Sequence, residues 1–90
     1  MLNSYEVGRG APDGIRLTDN FRCLPHDYED AVRRIAQNYC AAHVVSVDLS
    51  KVDHQSAIRI VEFCSGLCTA RSGWMFRVSE FVIVLTPGVD

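Results

Sequence analysis

Few residues in this chain have the types and spacing that chemistry uses. Cys64 and Cys68 are four apart, which places both thiols on one side of a helix, and His26 or His43 could complete a zinc set with them. The spacing permits a metal but is not the pattern of a zinc finger or ribbon. Cysteine near histidine is also the makings of an activated nucleophile. Both cysteines, however, fall on the helix stripe that must face a sheet, so they read as buried thiols packed like small apolar groups. Asp48 and Asp53 flank a loop and suggest a carboxylate pair. Helix capping and loop solvation explain them more simply, because aspartate is a favoured N-cap. Arg77 is either a solvated strand charge or a contact for an acidic ligand. With no nucleophile–base pair, metal set or phosphate loop, the chain is expected to be no enzyme and to hold no metal or cofactor.

The elements that must position these residues follow from periodicity. Phe21 to Leu24 reads as a short strand stopped by Pro25. Asp27 is a good N-cap, with Glu29 and Asp30 in a first turn where the helix dipole favours acids. The helix it opens runs to about Cys40 and buries Ala31, Ile35 and Tyr39, with Val32 and Ala36 beside them. Val44 to Leu49 is the next strand, with Val45, Val47 and Leu49 on one face. Ser50 or Asp53 then caps a helix from about His54 to Ala70, whose stripe is Ala57, Ile60, Val61, Cys64, Leu67 and Cys68. Ile58 and Phe63 flank that stripe on opposite sides, so part of this helix is expected to be covered by another subunit. Gly66 either relieves close packing or weakens the helix late in its course, and Gly73 marks a required turn or close approach.

From Gly73 a hairpin follows, in which Trp74, Phe76 and Val78 alternate with Met75 and Arg77. Ser79 and Glu80 make its turn. Phe81 to Leu85 is apolar on both faces, which suits a central or doubly covered strand. The order is β-α-β-α-β-β. Right-handed crossovers put both helices on one face, giving an α/β (α+β) two-layer sandwich on a four-stranded mixed sheet. The uncovered face is apolar, which predicts a homodimer or larger assembly.

Composition narrows the function classes. The chain has 90 residues, 48% hydrophobic and 22% charged, which is globular rather than disordered. Its net charge is −2 and its pI about 5.8, against the strong basic patch of a nucleic-acid binder. No apolar run approaches the roughly 20 residues needed to span a bilayer, and the N-terminus lacks the apolar core of a signal peptide. Residues 1–18 hold Gly8, Gly10, Pro12 and Gly14 and read as a flexible lead-in; 19–90 form the core domain. The expected residence is cytoplasmic.

The core resembles the SepF family, bacterial division proteins that bind the tubulin-like protein FtsZ. The resemblance rests on Pro25 followed by Tyr28-Glu29-Asp30-Ala31, on Val44-Val45-Ser46-Val47-Asp48-Leu49, on the run from Arg59 to Gly66, on Ser72-Gly73, and on the closing Leu85-Thr86-Pro87. Asp48 stands where the family usually has Asn, and Ser72 where it has Gly. The resemblance implies a protein that dimerises, binds the C-terminal tail of FtsZ and acts at the division site. It implies tail binding by a basic residue at Arg77 and an apolar one at Ile83, where phenylalanine is usual. Phe63, Gly66, Gly73 and Trp74 are expected at the subunit contact. Family members usually carry an amphipathic membrane-binding segment. Residues 1–19 show no apolar stripe with a basic face, so direct membrane binding by this chain is not expected. Two other functions fit the residues: a regulator acting through mixed oligomers with an anchored relative, and a dimeric small-molecule sensor.

Overall fold

A computed structural model of the chain describes residues 20–88. The lead-in expected over 1–18 lies outside the described residues. Six elements follow in order: β1 (Asn20–Cys23), α1 (Tyr28–Cys40), β2 (Val44–Asp48), α2 (His54–Ala70), β3 (Trp74–Arg77) and β4 (Val82–Thr86).

Aspartates set where both helices begin. The Asp27 side chain accepts the Asp30 amide at 2.8 Å, and that of Asp53 accepts the Ser56 amide at 2.7 Å. Each satisfies an amide that the first helical turn leaves without a partner. The Ser56 amide holds the Asp53 carboxyl below its usual range, and the Ser50 amide does the same for Asp48. The two acids at the β2–α2 loop are thus turn and cap residues. Ser50, the alternative cap, lies in the turn before the helix.

The sheet runs β1-β2-β4-β3, with β1 parallel to β2 and the other pairs antiparallel. This is the expected two-layer sandwich of two helices on a four-stranded mixed sheet, and the doubly apolar β4 is an interior strand. Register fixes which side chains meet the helices. Phe21, Val45, Leu85 and Met75 form one row across the sheet, and Cys23, Val47, Ile83 and Arg77 form the next. Val45, Val47, Ile83 and Leu85 are buried in these rows. Ala31, Ile35 and Tyr39 from α1 and Ile60, Cys64 and Cys68 from α2 close the core over them. Ala57, Val61 and Leu67, the rest of the expected α2 stripe, are partly buried against that cluster, as is Phe63.

Strand ends differ from the sequence reading by a residue. β1 begins at Asn20 and ends at Cys23, leaving Leu24 44% exposed. β2 ends at Asp48, and one step further in the same register the Leu49 amide still donates to the Phe81 carbonyl at 2.7 Å.

Gly73 carries the tightest packing requirement. A Cβ there would meet the Tyr39 hydroxyl and the Thr86 carbonyl. Tyr39 donates its hydroxyl to that carbonyl at 2.9 Å, and the Gly73 amide donates to Cys68 at 2.8 Å. One glycine therefore lets α1, α2, β3 and β4 converge, as the expected close approach requires. Gly66 differs: nothing lies within 4 Å of a Cβ placed on it, so it relieves no packing within the chain.

Candidate functional site

Three segments meet at one end of the sandwich: the loop after β2, the first turns of α2 and the β3–β4 turn. They leave an open groove of about 490 Å³. Its floor is apolar, made by Leu49, Val52, Ala57, Ile58, Val61 and Phe81. Ile58 is 45% exposed and Phe81 48%, an unusual amount of bare aliphatic and aromatic surface for one small concavity. Charged side chains border it: Arg77 and Glu80 from the hairpin, and His54 and Glu62 from the helix. Arg77 donates to the Glu80 carbonyl at 2.9 Å, which steadies the guanidinium at the turn. Neither Arg77 nor Glu62 nor Glu80 belongs to an ion pair among the described residues; those pairs join Asp30 to Arg33 and Arg34.

Arg77 thus lies where a ligand could reach it. Its cross-strand partner is Ile83, so the sequence-predicted pair is adjacent in the sheet. Ile83 itself is 1% exposed and seated in the core. A contact between Ile83 and a bound peptide is corrected on that ground, since the helix layer covers the side chain. Leu85 shares the same covered face, while Val82 and Val84 alternate to the other. The exposed apolar group beside Arg77 is Phe81, which the sequence reading placed inside the strand.

The four residues expected at a subunit contact do not share one surface. Phe63 and Gly66 are one turn apart on α2, with Phe63 partly packed on the core and Gly66 exposed. Gly73 faces Tyr39 in the interior. Trp74 is 52% exposed, so it is not a core residue, and strand alternation places it on the sheet face away from the helices with Phe76 and Val84. A second groove, of about 580 Å³, lies between α2 and the β3 edge. Ser65, Thr69, Trp74 and Phe76 line it, and no charged side chain does.

The thiols do no visible chemistry. Cys23, Cys64 and Cys68 are buried and unpaired, and Cys40 is exposed. Burial pushes the Cys64 thiol up to about 12, with Cys68 and Cys23 adding to the effect. Burial also raises Cys23 and Cys68. Thiolate is the reactive form, so a thiol reagent on the native protein should label one cysteine, Cys40, rapidly and the other three only after denaturant. Rapid labelling of Cys64 or Cys68 would mean that α2 opens from the sheet, and of Cys23 that β1 loses its cover. Among the described residues no group of three histidine, cysteine or acidic side chains is placed to hold a metal. No described helix is long and apolar enough to cross a membrane.

Residues 22–89 match the sequence model of a family described as cell division protein SepF. The chain belongs to the SepF family. A SepF from Brevibacillus brevis is 37% identical over 75 residues, covering 83% of this chain and 50% of the relative. One from Lactobacillus gasseri is 33% identical over 84 residues, covering 93% and 54%. A SepF from Mycobacterium tuberculosis is 33% identical over 75 residues, covering 83% and 34%. The chain thus spans about half the length of the first two SepF relatives and a third of the last. The family match covers every described element except the first two residues of β1, so the groove and the open sheet face both lie within the SepF core.

Proposed function

We propose that this SepF-family chain is a non-enzymatic cell-division adaptor that associates with itself and takes the C-terminal tail of FtsZ in the Arg77 groove. The observation that carries this reading is the juxtaposition of a guanidinium that joins no ion pair among the described residues with a bare apolar floor in a chain of a division family. Arg77 would pair with a carboxylate of the tail, and Ile58 and Phe81 would bury its apolar side chains. Self-association would use the open sheet face around Trp74, Phe76 and Val84, and the exposed flank of α2 near Phe63 and Gly66. Action at the division site follows from such a partnership.

The test is fluorescence anisotropy of a labelled FtsZ tail peptide titrated with the chain and with Arg77→Glu. The expected result is saturable binding by the wild type, weakened at least about tenfold by the charge reversal, since a like charge then faces the tail's carboxylate. Arg77→Glu should keep the native fold, because the side chain is exposed. Equal binding by both proteins would remove the tail from this groove.

Burial of Ile83 favours a second reading. If the usual phenylalanine position cannot reach a ligand here, the chain could act instead through mixed oligomers with an anchored SepF relative. Absence of tail binding by a folded, self-associating protein, together with co-purification with such a relative, would establish that alternative.

A further inference from the structure

The groove's charges say more about its occupant than Arg77 does alone. Ile58 and Glu62 are one helical turn apart on α2, so Glu62 stands on the helix wall directly beyond the exposed floor residue. Arg77 stands on the opposite, hairpin wall with Glu80. Apart from His54 the border carries one cation, Arg77, and two carboxylates, Glu62 and Glu80. None of the three is neutralised by an ion pair among the described residues. A purely acidic occupant would satisfy Arg77 and face two like charges.

We infer that the groove selects a peptide segment of mixed charge, in which apolar anchors lie between an acidic residue that meets Arg77 and a basic residue that meets Glu62. This rests on the reading of the Arg77 groove as a peptide site. A peptide fits better than a small solute because the groove is open, is bordered by three chain segments, and carries Arg77 and Glu62 on opposing walls with the apolar floor between. Glu62 is then the residue that sets specificity: it rejects segments that are acidic throughout, and Glu80 adds to that field. Interactions of this exposed kind contribute modestly, up to about fivefold in affinity per pair, and weaken with salt.

The test uses short labelled peptides with a common apolar centre, carrying both an acidic and a basic residue, the acid alone, the base alone, or neither. Their binding to the full chain, to Glu62→Gln and to Glu62→Lys is measured by anisotropy at low and high salt. The mixed-charge peptide is expected to bind the wild type about three- to fivefold more tightly than the acid-only peptide at low salt, the gap closing at high salt. Glu62→Gln should shrink that preference, and Glu62→Lys should invert it in favour of the acid-only peptide. Thermal melts of both variants confirm that the fold is retained, as expected for an exposed helical position. Equal affinity of the wild type for the mixed and acid-only peptides would overturn the inference, as would a preference unmoved by Glu62→Lys. An FtsZ tail peptide run in parallel separates the two ideas. Tail binding without a charge preference sinks the selector and leaves the adaptor, whereas mixed-charge selection without tail binding does the reverse.

Discussion

Replacing Gly73 by alanine is expected to destabilise the chain by about 3 kcal/mol, lowering the melting temperature by about 12–24 °C. The added methyl group meets two atoms that have nowhere to go. The Thr86 carbonyl belongs to the backbone of an interior strand, and the Tyr39 hydroxyl is held by its hydrogen bond to that carbonyl. Either β3 must withdraw from β4, breaking the ladder from Trp74 onward, or Tyr39 must leave the core. Adding Tyr39→Phe to Gly73→Ala should recover only part of the loss, because it removes the hydroxyl and leaves the carbonyl. Circular-dichroism melts of the two single variants and the double variant measure this directly. A loss under about 1 kcal/mol for Gly73→Ala would mean that the hairpin opens without consequence for the core. The same substitution bears on self-association, since a glycine at this hairpin was expected to serve a subunit contact. Its role within the chain is enough to explain an assembly defect through loss of fold, so any assembly measurement on Gly73 variants has to be read against their melts.

The second large effect separates two isoleucines that stand two positions apart in sequence. Ile60→Ala should cost about 3 kcal/mol, within the range for emptying a fully buried isoleucine site; Ile60 is 0% exposed at the centre of the core. Ile58→Ala should change stability by less than about 0.5 kcal/mol, as surface substitutions usually do. On tail-peptide binding the order is expected to reverse for folded protein, because Ile58 is part of the groove floor and Ile60 is not. Denaturant unfolding of the pair, followed by anisotropy titrations, checks both halves. Equal stability losses would show that the α2 stripe is rotated from its assigned face.

That contrast also shows what the sequence could tell. In α2 the stripe through Ile60, Cys64 and Cys68 was legible because helical spacing and residue type agree, and Ile58 and Phe63 were recognisable as leftovers. The caps were legible too, since Asp27 and Asp53 each stand just before an apolar period. β4 was harder. Its residues are apolar on both faces, so alternation says which share a face and not which face the helices cover. The resemblance assigned Ile83 to a ligand surface, alternation offered nothing against it, and it proves to be core. The groove was missed altogether. It is assembled from Leu49, Val52, Ile58 and Phe81, which come from three separated segments. The Leu49–Phe81 backbone bond, invisible in the sequence, ties the turn to the loop. A usable signal did exist: Phe81 follows Glu80 at the mouth of a turn, where a large ring lacks an obvious partner. Gly66 and Gly73 looked alike as late glycines, yet a Cβ on one meets nothing and on the other meets the Tyr39 hydroxyl and the Thr86 carbonyl.

The position of β4 has a consequence for how the protein is made. Of the four described strands it is the last in chain order, and it is the one that joins β2 to β3. A nascent chain that has released both helices and β3 from the ribosome still lacks the strand that hydrogen-bonds to both neighbours, so β3 has no partner in the sheet. Cys64, Ile60 and Tyr39 then face a gap where Ile83 and Leu85 belong. The topology therefore predicts that the sheet closes only once Thr86 has emerged, with the apolar faces open to chaperones or to aggregation until then.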